Sequence, residues 1–194
     1  MTYHTHSLLG FVTAVITVKI LNFLNIIDLS YLIEGSLFSP SLWQFYGGAI
    51  IGALMPDIDH ASSKAGRALW FISKPLKIFG VKHRGITHSI LGLVLFFFLT
   101  GEMVKAGWIN ELIWYGLVIG YLSHLIADML NVHGIPLFYP NNKRFKFNTN
   151  ITTGSWGEHL LFLLTFTIIT LFISSERGLL NFSFNDFLTL IGFK

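Results

Sequence analysis

The sequence predicts an all-α fold, a polytopic membrane helix bundle of about five transmembrane helices with interfacial helices beside them. Three observations carry this. Charged residues make up 12% of the 194 residues and hydrophobic residues 53%, where a soluble domain carries about 25% charged residues. Apolar runs long enough to approach the roughly 30 Å hydrocarbon core of a bilayer recur along the chain. Loops holding most of the Lys and Arg alternate with them. The length suits a single domain over residues 1–194. Met1–Ser7 has no Lys or Arg, so the start does not read as a signal peptide.

Leu8–Ile27 is the first predicted span, interrupted by Thr13, Thr17, Lys19, Asn22 and Asn25. Lys19 must snorkel or face the bundle. A polar loop follows over Asp28–Ser41. The second span, Leu42–Met55, is short. Trp43 and Tyr46 mark its interface end, and Gly48 with Gly52 forms a GxxxG pair that lets a neighbouring helix approach closely. Ala61–Lys82 is a basic loop, with interfacial helices expected at Ala68–Ile72 and Leu76–Val81 on either side of Pro75. Ser89–Val104 is the third span and Leu112–Leu130 the fourth, the latter with a second GxxxG pair at Gly116 and Gly120. Val132–Glu158 is a polar loop before the fifth span, His159–Ser174. The tail Leu179–Phe193, broken by Asn181, Asn185 and Asp186, is expected to be interfacial or partly buried, with a sixth span the weaker reading.

Counting Lys and Arg in the loops orients the bundle. Residues 56–88 and 131–158 hold nine (Lys64, Arg67, Lys74, Lys77, Lys82, Arg84, Lys143, Arg144, Lys146) against three elsewhere (Lys105, Arg177, Lys194). The first set is expected in the cytoplasm, with the N-terminus on the same side and the C-terminus outside.

That topology places all eight histidines at one face. His4 and His6 precede span 1. Asp57, Asp59 and His60 follow span 2. His83 and His88 precede span 3. His124 and Asp128 end span 4, and His133, Glu158 and His159 lie on the same side. The chain has no cysteine, so a metal would be held by His, Asp, Glu or Asn, a donor set suited to Zn²⁺ and also to Mn²⁺ or Fe²⁺. His124 and Asp128 are i,i+4 and share a helix face, which Asn131 extends. Asp128 within a span is unfavourable by roughly 2.5–3.5 kcal/mol on insertion scales, which marks it as functional. If their segments are extended, Asp57 with Asp59 and His4 with His6 each aim both side chains one way. Thr5-His6-Ser7-Leu8-Leu9-Gly10 nearly repeats Thr87-His88-Ser89-Ile90-Leu91-Gly92, as if the two were walls of one site. The bland readings are that a lone histidine at a membrane edge is interfacial, that the glycine pairs serve packing, and that the basic loop reports topology, with anionic headgroup binding secondary.

At His4-Thr5-His6, Pro56-Asp57-Ile58-Asp59-His60, His83-Arg84-Gly85-Ile86-Thr87-His88-Ser89, Ser123-His124-Leu125-Ile126-Ala127-Asp128 and Thr153-Gly154-Ser155 with Glu158, the chain resembles the membrane-bound metal-dependent hydrolases of the YdjM type. The likeness covers about residues 1–160. It implies an inner-membrane protein of a bacterium or archaeon and hydrolase activity. A looser similarity, by analogy alone, is to zinc-dependent phospholipase C and P1-type nucleases.

The expectation is therefore a site of one to three ions, two Zn²⁺ by preference, held by His6, Asp57, Asp59, His88, His124 and Asp128, with His4 and His83 as further candidates. Water activated by the metal would attack an ester, foremost a phosphoester, of a small molecule or membrane lipid. Arg84 would hold the substrate anion and Glu158 would serve as general base or further ligand. Thr87, Ser89 and Asn131 would orient ligands. No specific nucleic-acid partner is expected, because nothing in the chain reads bases. The rivals are a metal-ion transporter, whose ligands would spread through the membrane depth, and a non-catalytic membrane protein folded around a metal.

Overall fold

The computed structural model describes residues 1–24, 39–81, 83–181 and 184–192. Most of the expected Asp28–Ser41 loop, the last residues of the first expected span, Lys82, Lys194 and the far end of the tail lie outside the described residues. Among the described residues eight α-helices follow in order: α1 (Tyr3–Phe23), α2 (Pro40–Gly52), α3 (Lys64–Ala68), α4 (Trp70–Ile78), α5 (Ile90–Lys105), α6 (Glu111–Met129), α7 (Trp156–Glu176) and α8 (Phe184–Leu190). Short 3₁₀ segments at Met55–Asp59 and Ile86–His88 follow α2 and precede α5. Among the described residues, β-structure is limited to two isolated bridges, Asn131 with Ile151 and Ile135 with Phe145.

The all-helical expectation holds; among the described residues three helices have spanning length, where about five spans were expected. α1, α6 and Trp156–Ser175 of α7 are long and apolar enough to cross a membrane. α2 has 13 residues and α5 has 16, about 20 and 24 Å at 1.5 Å per residue, short of a roughly 30 Å core. α1 also starts five residues before the expected span, so Tyr3 to Ser7 are helical and not extended. α4 runs through Pro75, where two flanking helices were expected. One missing N–H in so short a helix removes a single internal bond, and the break falls instead at Leu69, with φ −109° and ψ 45°.

Local chemistry sets the helix starts. Ser89, Asn110 and Ser155 are N-caps whose side chains accept from the N–H groups of Gly92, Ile113 and Glu158, satisfying donors a helix start leaves free. Pro40 opens α2, where its fixed φ suits the first turn.

The two GxxxG pairs face each other. A Cβ on Gly52 would lie 2.1 Å from the Leu117 carbonyl oxygen, and one on Gly116 or Gly120 would lie 2.1 or 2.0 Å from those of Phe45 or Ala49. α2 and α6 therefore touch backbone to backbone, as small residues permit in a membrane. Gly10 of α1 meets Ala49 and Ala53 in the same way. Around this seam Val12, Val15, Leu42, Phe45, Ile169 and Phe172 form the main apolar core. Leu99 and Phe98 of α5, and Leu163 and Phe166 of α7, stay exposed, as a lipid-facing surface requires.

Candidate metal centre

Five helix ends meet at one end of the bundle: the starts of α1, α5 and α7, and the finishes of α2 and α6. The α6 row Gly116, Gly120, His124, Asp128 repeats every four residues and so lies along one face. The two glycines seat α6 on α2, and the next two positions project past the end of α2. His124 Nδ1 consequently lies 2.7 Å from the Ala53 carbonyl oxygen. An N–H on Nδ1 donates to that carbonyl and leaves Nε2 with its lone pair directed into the site, the tautomer a metal ligand needs.

His88 faces it from the 3₁₀ segment before α5. The two Nε2 atoms are 3.2 Å apart. The His6 ring stacks on His124, centroids 3.8 Å apart, and His6 Nε2 lies 3.4 Å from Asp128 Oδ1. Asp57 Oδ1 is 3.5 Å from His88 Nε2 and 3.9 Å from His124 Nε2, and Asp128 Oδ2 is 3.6 and 3.9 Å from the same two atoms. Three overlapping groups have donor atoms close enough to share an ion: His6–Asp57–His124, Asp57–His83–His88 and His88–His124–Asp128. His6 Nδ1 is buried without a partner. Two imidazole nitrogens directed at each other, an orphaned third and two converging carboxylates fit a divalent cation better than they fit one another.

Asp59 points elsewhere. Asp57 and Asp59 sit in a 3₁₀ turn, and at three residues per turn i and i+2 are about 240° apart; an extended segment would have aligned them. Asp59 accepts from Thr87 Oγ1 at 2.6 Å and the Arg84 N–H at 3.1 Å, and pairs with His83 Nδ1 at 2.9 Å. It also lies 3.5 Å from His88 Nδ1, while Thr87 Oγ1 is 3.0 Å from that nitrogen. Asp59 and Thr87 thus hold the back of the His88 ring, the orienting arrangement expected behind a ligating histidine.

These carboxylates and imidazoles reinforce one another's charge. Burial raises Asp57 and Asp59, but the neighbouring histidines, with Thr87 for Asp59, outweigh it and hold both well below the usual carboxylate range. Burial lowers His88, and Asp57 and Asp59 overcome that to raise it to about 9.

Arg84 has a left-handed backbone, φ 56°, and its guanidinium Nη2 pairs with Asp128 Oδ2 at 3.1 Å. The amino nitrogen of Met1 lies 3.1 Å from Asp128 Oδ1.

Other expected residues are placed differently. His4 is exposed and its ring lies against Tyr3, 3.7 Å between centroids. On a helix, residues two apart are about 200° apart, so His4 leaves the site that His6 enters. Glu158 is buried outside all three groups. Its oxygens accept the N–H groups of Thr2 and Gly154, closing the start of α7 onto the start of α1. Ser89 caps α5 and donates to the Ile86 carbonyl. Asn131 accepts the His133 N–H and reaches Thr153 Oγ1 at 3.3 Å, tying the loop after α6 together. His60, His133 and His159 are exposed. The near-repeat does not carry a shared local structure: Thr5-His6-Ser7 lies within α1, whereas Thr87-His88-Ser89 is a 3₁₀ turn and N-cap.

Two contributors escaped sequence reasoning. The Ala53 carbonyl has no side-chain signal at all. Tyr121 donates its hydroxyl to the Thr87 carbonyl; a tyrosine one turn before His124 on a glycine-marked face is the clue that could have found it.

The chain is 43% identical over 106 residues to the inner membrane protein YdjM of Escherichia coli, covering 54% of this chain and 53% of that protein. The Shigella flexneri protein of the same name matches to the same extent. YvsG of Bacillus subtilis is 39% identical over 125 residues, 64% of this chain and 73% of its own length. The aligned region thus spans about half the length of the two YdjM relatives. No solved structure matches the chain, and the likeness to phospholipase C and P1-type nucleases stays an analogy. The model of the YdjM inner membrane protein family matches residues 1–192, and this chain belongs to that family.

Proposed function

We propose that this protein is a membrane-embedded metal-dependent hydrolase of phosphoesters, working at the cytoplasmic end of the bundle with Zn²⁺ as the preferred ion and Mn²⁺ or Fe²⁺ as alternatives. The observation that carries it is the 3.2 Å approach of His88 Nε2 and His124 Nε2 between the carboxylates of Asp57 and Asp128. His6, Asp57, His88, His124 and Asp128 would hold the metal, with His83 at the rim. Their three overlapping groups would suit more than one ion, two by preference. The bound metal supplies Lewis acidity and lowers the pKa of water.

The chain's own residues do the rest. Asp59 and Thr87 fix the His88 ring, and the Ala53 carbonyl fixes His124. Arg84, already paired with Asp128, is placed to hold the anionic oxygens of a substrate. Asp57, with its side chain 20% exposed, is where the buried cluster meets solvent. Glu158 has both oxygens engaged and serves the fold, so neither a ligand nor a base role is assigned to it. Clustering of the ligands at one end supports an enzyme over a transporter with ligands through the membrane depth.

Purified protein loaded with Zn²⁺, Mn²⁺ or Fe²⁺ and assayed against phosphomonoesters, phosphodiesters and phospholipids tests this. Metal-dependent turnover that disappears in Asp128→Asn and His124→Ala is the expected result. Stoichiometric metal with no turnover across the panel, and destabilisation on chelation, would assign the metal to folding alone.

A further inference from the structure

We infer that the cavity lined by residues 79–81 and 83–86 on one side and by segment 136–144 on the other binds a phosphorylated amphiphile, its anionic head on Arg84 and its chain over Phe79. As a substrate site this rests on the hydrolase reading; as a binding site it stands alone.

The cavity measures about 610 Å³, within the range of small-molecule sites. Its polar lining comes from His83, Arg84, Tyr139, Asn142 and Arg144, and among the described residues no Asp or Glu lines it. Arg144 is held in place by donating to the His133 and Gly134 carbonyls. Arg84 joins the cavity to the metal cluster. One guanidinium nitrogen pairs with Asp128, while the other, Nη1, is buried without a partner, so a phosphate in the cavity meets it once the side chain turns outward. Burying such a donor unmet is unfavourable, and a phosphate oxygen is the acceptor a guanidinium matches best. The left-handed backbone at Arg84 is strained for a residue with a Cβ, a feature that collects at ligand clamps.

Exposed apolar side chains flank the cavity. Phe79 lines it and is 84% exposed; Ile78 beside it is 81% exposed, and Phe138 on the facing segment is also exposed. Ile78 ends α4, where Trp70 and Phe71 are exposed and Lys74 and Lys77 supply positive charge. A short helix of that composition lies in the plane of a membrane interface. A head on Arg84 therefore leaves its chain beside Phe79, whose side chain is largely exposed. Free phosphate shares the head chemistry and lacks the chain.

Calorimetric titration of the full chain in zwitterionic lipid nanodiscs, with empty nanodiscs subtracted, separates the two ligands. Hexyl phosphate and inorganic phosphate are compared on the wild type, Arg84→Gln and Phe79→Ser, with no metal added. Hexyl phosphate is expected to bind at least ten-fold more tightly than inorganic phosphate. Arg84→Gln should weaken both about ten-fold, and Phe79→Ser should remove only the advantage of the hexyl chain. A surface residue as exposed as Phe79 leaves the fold intact. Equal affinity of the two ligands, or unchanged hexyl phosphate binding in Arg84→Gln, overturns the proposal. Because the readout is binding without metal, it can fail while hydrolysis succeeds, and the reverse.

Discussion

At the scale of single residues, the candidate site divides by which nitrogen of each imidazole is occupied. His124 and His88 have their Nδ1 sides held, by the Ala53 carbonyl and by Thr87 with Asp59, and their Nε2 sides meet. Removing an orienting partner should loosen a metal without deleting a ligand. Asp59→Asn is expected to retain metal stoichiometry and weaken affinity about 10–100-fold, whereas His124→Ala should lose metal outright; competition with a chromogenic chelator reads both. The charge state of His88 gives a second prediction, for metal-free protein. Its folded value of about 9 lies above the ordinary 6.5. Its stabilising contribution is therefore complete below about pH 6.5 and is lost as the pH rises through about 9. Chelated protein should melt several degrees lower at pH 9.5 than at pH 6.5, and His88→Gln should flatten that difference. Asp57 and Asp59, held below the usual range, act with the opposite sign. Their contributions are present above about pH 4 and fade as acid approaches their folded values.

At the scale of elements, the seam between α2 and α6 does two jobs. Gly116 and Gly120 let α6 lie against the α2 backbone, and the same i,i+4 row then delivers His124 and Asp128 to the end of α2. The packing depth thus sets the distance from His124 Nδ1 to Ala53. A side chain at Gly120 has the Ala49 carbonyl 2.0 Å from its Cβ position, so the helices must separate. Gly120→Leu is expected to destabilise the bundle by about 1–3 kcal/mol. Metal affinity should fall with it, although neither helix loses a ligand. Thermal melting and metal content on one preparation check this. Unchanged metal affinity in a destabilised Gly120→Leu protein would mean that the seam does not set the site. Glu158 works at this scale too, binding the α1 and α7 starts through backbone N–H groups.

At the scale of the whole molecule, all the ligands gather where five helix ends converge, and the loops around that end carry most of the positive charge. The cytoplasm is the expected side. With no native cysteine, single cysteines can be read directly. Replacements at the exposed His60, His133 and Trp156 should react with an impermeant thiol reagent only after the cytoplasmic face is opened. One at the exposed Trp108, after α5, should react from outside. Labelling of His60 and Trp108 positions from the same side would reject the topology.

The sequence by itself determined the helical membrane character, because a bilayer leaves long apolar runs no other way to satisfy their backbone groups. It also determined which ionisable residues share one end, because that depends on counting spans and charges. His6, Asp57, His88, His124 and Asp128 were legible on those grounds. Tertiary structure alone decided which side chains converge. His4 and Asp59 differ from their neighbours in direction only because Tyr3–Ser7 is helical and Met55–Asp59 is 3₁₀, and both segments are too short for periodicity to separate helix from extended chain. The role of Glu158 was hidden because its partners are backbone N–H groups, and Ala53 enters the site through a carbonyl that every residue possesses.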